Sequence, residues 1–213
     1  MHSIEEYIEG TRSAVQKLYQ AVDSYYDLLR EPQRPAFTFW GEYNEKVRRT
    51  HEKWTEENKT VLEERASRDE KFAAETFAIA TLCGSILQFP SMAIEICSKN
   101  TKSHHKFLDL IPDNHKVAKF CIGREVNEVP IGLIIYAGRN QAHHYDDKQY
   151  GKVTERVFQN LATWYSPTFN KSFTDSRLDL SNENVINFAA NILWLLEWQN
   201  YESYEFGLRD LFK

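Results

Sequence analysis

The sequence predicts an all-α fold, a helical bundle of about five to seven helices. Three observations carry this. Apolar residues recur at spacings of three and four through residues 3–29, 131–145 and 185–196. Proline-containing breaks such as Arg30-Glu31-Pro32-Gln33-Arg34-Pro35, Pro112-Asp113-Asn114 and Ser166-Pro167 punctuate the chain between such stretches. No internal repeat, glycine-rich phosphate loop or low-complexity tract competes with that reading. A chain of 213 residues with 42% apolar content fits one domain with a substantial core.

Residues 3–29 form the first helix. Ser3 and Glu6 make a capping box, in which the two side chains satisfy backbone N–H groups left over at a helix start. Ile4, Tyr7, Ile8, Val15, Leu18, Tyr19, Val22, Tyr25 and Leu29 make the buried stripe. Residues 38–69 read as a second, long helix. Its thin stripe of Trp40, Tyr43, Val47, Trp54, Val61 and Leu62 lies amid charges of both signs, the pattern of a solvated face. Residues 70–88 read as the most buried helix, with small residues such as Gly84 allowing close contact with the helix that follows Pro130. Pro90 should break it, leaving a short helix over 91–99.

Residues 100–129 read as loop-rich, with His104, His105 and His115 as surface residues and a helical turn or short strand over 117–122. Residues 150–165 read as an amphipathic helix and 168–180 as a loop. Ser181 is the expected N-cap of the next helix, with Glu183 in its first turn and Val185, Phe188, Ala189, Ile192, Leu193 and Leu196 inward. Residues 201–213 close the chain as a short helix.

Composition narrows function. The net charge of −5 argues against a broad basic face that coats duplex nucleic acid, so any nucleic-acid contact must be local. Single-stranded or looped RNA, held by stacking and a few phosphate contacts, suits such a surface better. Cys83, Cys97 and Cys121 are an odd, widely spaced set, the usage of a cytoplasmic protein with reduced thiols. The first ten residues resemble no secretory leader. The uncharged stretch 76–94 contains Pro90 and several polar residues and reads as a core helix, so no membrane span is expected.

The chemistry concentrates in residues 130–147, PIGLIIYAGRNQAHHYDD, where an apolar helix runs into one arginine, one asparagine, two histidines and two aspartates. Arg139 and His144 form R-x4-H, with Asn140 directly after the arginine. Arginine offers a planar, permanently charged fork that suits a phosphate. Histidine titrates nearest neutrality and can move protons. Metal-free RNA cleavage needs both, because the 2′-hydroxyl must lose a proton, the phosphorus centre must be stabilised and the 5′-oxygen must gain a proton. On an ideal helix Asn140 and His144 share one face, and so do Arg139 and His143. Arg139 and His144 stand roughly 140° apart at 3.6 residues per turn. They converge only through the length of arginine, a distorted helix or a second subunit. A metal reading of the same cluster uses His143, Asp146 and Asp147 at i, i+3 and i+4. The simpler role for Asp146 or Asp147 is to orient a histidine and raise its pKa.

The run Arg139-Asn140-Gln141-Ala142-His143-His144 resembles the R-x4-6-H motif of the HEPN superfamily, in which a polar residue, often asparagine, follows the arginine. The resemblance covers about six residues and, more loosely, the helical pattern around them. It implies a HEPN-like helical bundle, commonly a homodimer, and an endoribonuclease that needs no cofactor, of the kind found in toxin–antitoxin and defence systems. It implies Arg139, Asn140 and His144 as catalytic residues, supported by His143, Tyr145, Asp146 and Asp147, with RNA as substrate and an antitoxin as a partner. Some members carry a tyrosine two residues after the histidine. Here Tyr145 stands two after His143 and Asp146 two after His144, so the motif leaves both histidines open. The alternative is a non-catalytic helical module that binds nucleotide, RNA or a protein.

Overall fold

The computed structural model describes residues 3–29, 37–38, 42–101, 105–111, 116–146, 149–185 and 187–213. Helices dominate it, with two small antiparallel hairpins. The chain divides into two compact units, Met1–Asp23 with Ile79–Lys213, and Ser24–Ala78.

In the smaller unit, helix α2 (Glu45–Glu57) starts at Asn44, whose side chain accepts from the backbone N–H groups of Lys46 and Val47. His51 stacks on Trp54 at 6.2 Å between ring centroids, and Phe37 leans on His51. The expected single helix over 38–69 is instead two. Asn58 is the C-cap of α2, and its side-chain amide donates to the Trp54 carbonyl at 2.7 Å, competing with the helical ladder. Helix α3 (Lys59–Cys97) begins at the next residue.

Pro90 does not end α3, contrary to expectation; it lies inside the helix and is buried. A proline removes one ladder bond and crowds the preceding turn. Next to that gap the Tyr7 hydroxyl donates to the Phe89 carbonyl at 2.8 Å. Burial of Ile86, Leu87, Ala93 and Ile94 on either side holds the helix together. The stretch Ala74–Cys97 is long and apolar enough to cross a bilayer by length and composition, and half of its most apolar window is buried in the protein.

In the larger unit, helix α1 (Ile4–Leu29) contributes Tyr7, Ile8, Val15, Tyr19 and Val22 to the core. Ser3 accepts from the Glu6 N–H as the capping reading required. Helix α7 (Tyr201–Asp210) lies against α1. The Tyr19 ring meets Tyr204, the Tyr19 hydroxyl donates to the Trp198 carbonyl, and Arg12–Glu205 and Arg209–Glu5 pairs join the rims.

Helix α4 (Ile131–His143) is the centre of this unit, with Ile131, Leu133, Ile134, Ile135, Ala137 and Gly138 all buried. Pro130 is its N-cap and belongs to a short hairpin of β1 (Glu125–Val126) and β2 (Val129–Pro130). That hairpin and two 3-10 turns, His105–Phe107 and Lys116–Phe120, occupy the segment read as loop-rich. His104 and His115 lie outside the described residues. Helix α4 packs on α5 (Lys152–Ala162) and α6 (Ala189–Leu195). As expected it also meets α3, where a Cβ on Gly84 would stand 3.0 Å from the Ala142 methyl.

Two further expectations fail. Residues 163–165 are not helical, because α5 stops at Ala162 and the chain forms a hairpin of β3 (Thr163–Ser166) and β4 (Lys171–Thr174). Thr-Trp-Tyr-Ser and Lys-Ser-Phe-Thr are strand-favouring, and the Ser-Pro pair that was read as a stop is the start of the turn. Ser181 is not an N-cap. Its N–H and hydroxyl are both taken by the Asp179 carboxylate in a local turn, and α6 begins only at Ala189. Of the inward set, Phe188, Ala189, Ile192, Leu193 and Leu196 are nevertheless buried, while Val185 is half-buried and precedes the helix.

Candidate functional site: the end of helix α4

The motif residues occupy the last turn of α4 and the residues just beyond it. His144 is the C-cap, its backbone N–H donating to the Asn140 and Gln141 carbonyls. Arg139 and Asn140 are half-buried, while His143 and His144 are exposed. Helix geometry splits the motif between two faces, as the spacing requires. On one, Arg139 Nε donates to Gln88 Oε1 at 2.7 Å, and His143 Nε2 lies 3.1 Å from the same oxygen. On the other, Asn140 and His144 line a cavity of about 560 Å³ together with Gln149, Tyr150, Gly151 and Thr154.

A hydrogen bond joins the two faces. Arg139 Nη1 donates to Asn140 Oδ1 at 3.0 Å. The length of the arginine thus brings its guanidinium to an amide in the cavity wall that His144 shares. The first turn of α5 lines the same cavity through Gly151 and Thr154. Its N-cap, Gly151, supplies no side-chain acceptor. The first N–H groups of a helix lack intrahelical partners and carry a partial positive charge, which favours an anion, while the Glu155 carboxylate of the same turn opposes one.

Gln141 sits among these residues but points into the core and is fully buried. Its Oε1 accepts from the Phe188 N–H at 2.8 Å, and its Nε2 reaches the Tyr150 hydroxyl at 3.5 Å. One amide therefore pins the motif helix to the start of α6 and to the cavity tyrosine.

The His143 pKa lies below its ordinary value of 6.5 because of partial burial, the Arg139 charge and the His144 imidazole. This reverses the expectation that Asp146 or Asp147 raises a histidine pKa at this end of the helix, as far as His143 is concerned. Asp146 is exposed and Tyr145 half-buried, whereas Asp147 lies outside the described residues. Among the described residues, no group of three or more His, Cys, Asp or Glu side chains is placed to hold a metal ion.

Sequence reasoning did not assign Gln88, Tyr150 or Thr154 to the site. Gln88 carried a signal, as a lone amide in the uncharged run 76–94. Tyr150 and Thr154 carried none, because they join the cavity only once α5 folds back on α4. No protein-family model matches the chain, and no curated protein and no solved structure matches it either.

Proposed function

We propose that the protein is a metal-independent endoribonuclease of HEPN type, acting in the cytoplasm on single-stranded or looped RNA. The observation that carries this reading is the bond from Arg139 to Asn140 at the wall of the cavity that His144 also lines. A phosphate in that cavity would have the guanidinium and the Asn140 amide on one side and the N-terminal turn of α5 on the other. Donors of this kind stabilise the negative charge that grows in the transition state.

The chemistry follows from the groups. A histidine, His144 in this assignment, takes the proton of the ribose 2′-hydroxyl. The 2′-oxygen attacks the adjacent phosphorus, the bond to the 5′-oxygen breaks, and that oxygen leaves with a proton from a second acid. The products are a 2′,3′-cyclic phosphate and a 5′-hydroxyl. In a homodimer, the second acid would be a histidine of the partner's copy. The exposed face of α3 beside Gln88 suits such a contact. Thr81, Ser85, Met92 and Ile96 follow one another along it, with the exposed Glu95 beside Met92, and Met92 and Ile96 are about half exposed. A protein antitoxin and a place in a defence system belong to the same reading.

A second reading has one observation in its favour. Two donors of Arg139 already serve protein amides, those of Gln88 and Asn140, as they would in a module that binds nucleotide, RNA or protein without turnover. Incubating the purified protein with total RNA in EDTA separates the two. Cleavage that leaves cyclic phosphate and 5′-hydroxyl ends supports the enzyme. Intact RNA supports the module.

A further inference from the structure

The β3–β4 hairpin presents more exposed aromatic surface than a hairpin of its size needs. Its register pairs Trp164 with Phe173 and Ser166 with Lys171. Alternation along each strand places these four side chains on one face. Trp164 and Phe173 stack at 4.7 Å between centroids, and Phe169 from the turn meets Phe173 edge-on at 6.0 Å. The Lys171 ammonium lies 5.8 Å from the Phe173 centroid. A cross-strand aromatic pair is an ordinary way to stabilise a two-stranded hairpin. That role explains the Trp164–Phe173 stack, but not Phe169 at 71% exposure or the outer half of Trp164 at 48%.

Charge selects the occupant. Residues 163–174 contain no aspartate or glutamate and one lysine, in a chain whose net charge is −5. A row of aromatic rings with a cation beside it and no carboxylate matches a strand of nucleobases on an anionic backbone. A symmetric contact between this hairpin and its own copy would set Lys171 against Lys171 and gain no charge complementarity. Position supports the same choice. Thr154 in the first turn of α5 lines the motif cavity, and β3 begins where α5 ends. The two features are thus separated by about 14 Å of helix at 1.5 Å per residue. A few nucleotides of extended strand span that distance.

We propose that the β3–β4 hairpin is a stacking platform for single-stranded RNA, in which Trp164 and Phe169 receive bases and Lys171 contacts a phosphate, while the scissile linkage lies in the motif cavity. The inference rests on the ribonuclease reading for its choice of RNA over DNA.

The test uses the full chain and a fluorescein-labelled oligouridylate with 2′-O-methyl groups, which cannot be cleaved. Fluorescence anisotropy gives its affinity for the wild type, Phe169→Ala and Trp164→Ala/Phe169→Ala, with circular dichroism confirming that each variant is folded. Loss of one stacked base should weaken binding by roughly ten-fold, and loss of both by more. Tryptophan emission quenched by the RNA should lose part of that quenching in Trp164→Phe. Equal affinity in the wild type and the folded double variant overturns the platform, whether or not the variant changes self-association or binding to anionic vesicles. Cleavage of unmodified RNA alongside hairpin-independent binding overturns the platform and leaves the ribonuclease reading standing. Hairpin-dependent binding without cleavage does the reverse.

Discussion

Gln88 and Asn140 are the two amides that organise the site. Gln88 Oε1 serves both Arg139 and His143, and Asn140 carries the arginine across to the cavity. Neighbours set the behaviour of His143. Partial burial, the fixed Arg139 charge and His144 all penalise its protonated form, so its folded-state pKa is depressed. The unfolded chain therefore binds the proton more readily. This contribution to stability is fully present above the unfolded value near 6.5. It is lost as pH falls through the lower folded value. Titration of the His143 ring by NMR should give a midpoint below 6.5, and Arg139→Ala should raise it. An unchanged midpoint would show that the guanidinium does not act on this ring.

Spacing alone predicted the division of these side chains. Arg139 with His143, and Asn140 with His144, share faces because they are four residues apart. Their partners were hidden, because Gln88 lies far away in sequence and its contact depends on how α3 meets α4. The same holds for Gln141, whose polar side chain faces the core only because the Phe188 N–H awaits it there.

Among the elements, α1, α4 and α7 were legible because each carries its own start signal or a regular apolar period. Pro90 misled, since its local cost is outweighed by the buried residues on both sides. The β3–β4 hairpin was hidden by an apolar pattern that continues α5 in phase. Ser181 was misread because a hydroxyl that caps a helix serves equally in a turn with Asp179. Element packing around α4 makes one sharp demand. A Cβ on Gly132 would stand 2.2 Å from the Phe120 carbonyl oxygen, a backbone atom that cannot rotate away. Gly132→Ala should destabilise the protein by on the order of 3 kcal/mol, read from the midpoint of urea unfolding. A shift near zero would mean that the Phe120 turn is not held against α4.

At the scale of the whole molecule, the net charge of −5 limits the proposed RNA contact to a local one. The HEPN reading adds a requirement for two copies, and the half-exposed apolar pair Met92 and Ile96 on α3 marks where they would meet. Met92→Glu places a second carboxylate beside Glu95 on that face, which a contact between copies would bury. Sedimentation should then show a smaller species than the wild type, together with loss of RNA cleavage. A wild type that sediments as a monomer would remove the dimer from the mechanism. The helical character was readable from periodicity over the whole chain. The exposure of Met92 and Ile96 was not, because an exposed apolar stripe looks in sequence like any buried one.

The rate of RNA cleavage in EDTA by the wild type, Arg139→Ala and His144→Ala, all shown to be folded, tests most directly whether the guanidinium and the imidazole act on one phosphate. The account predicts that each variant loses activity by about 100-fold or more. A folded variant of either kind that cleaves at the wild-type rate would contradict it.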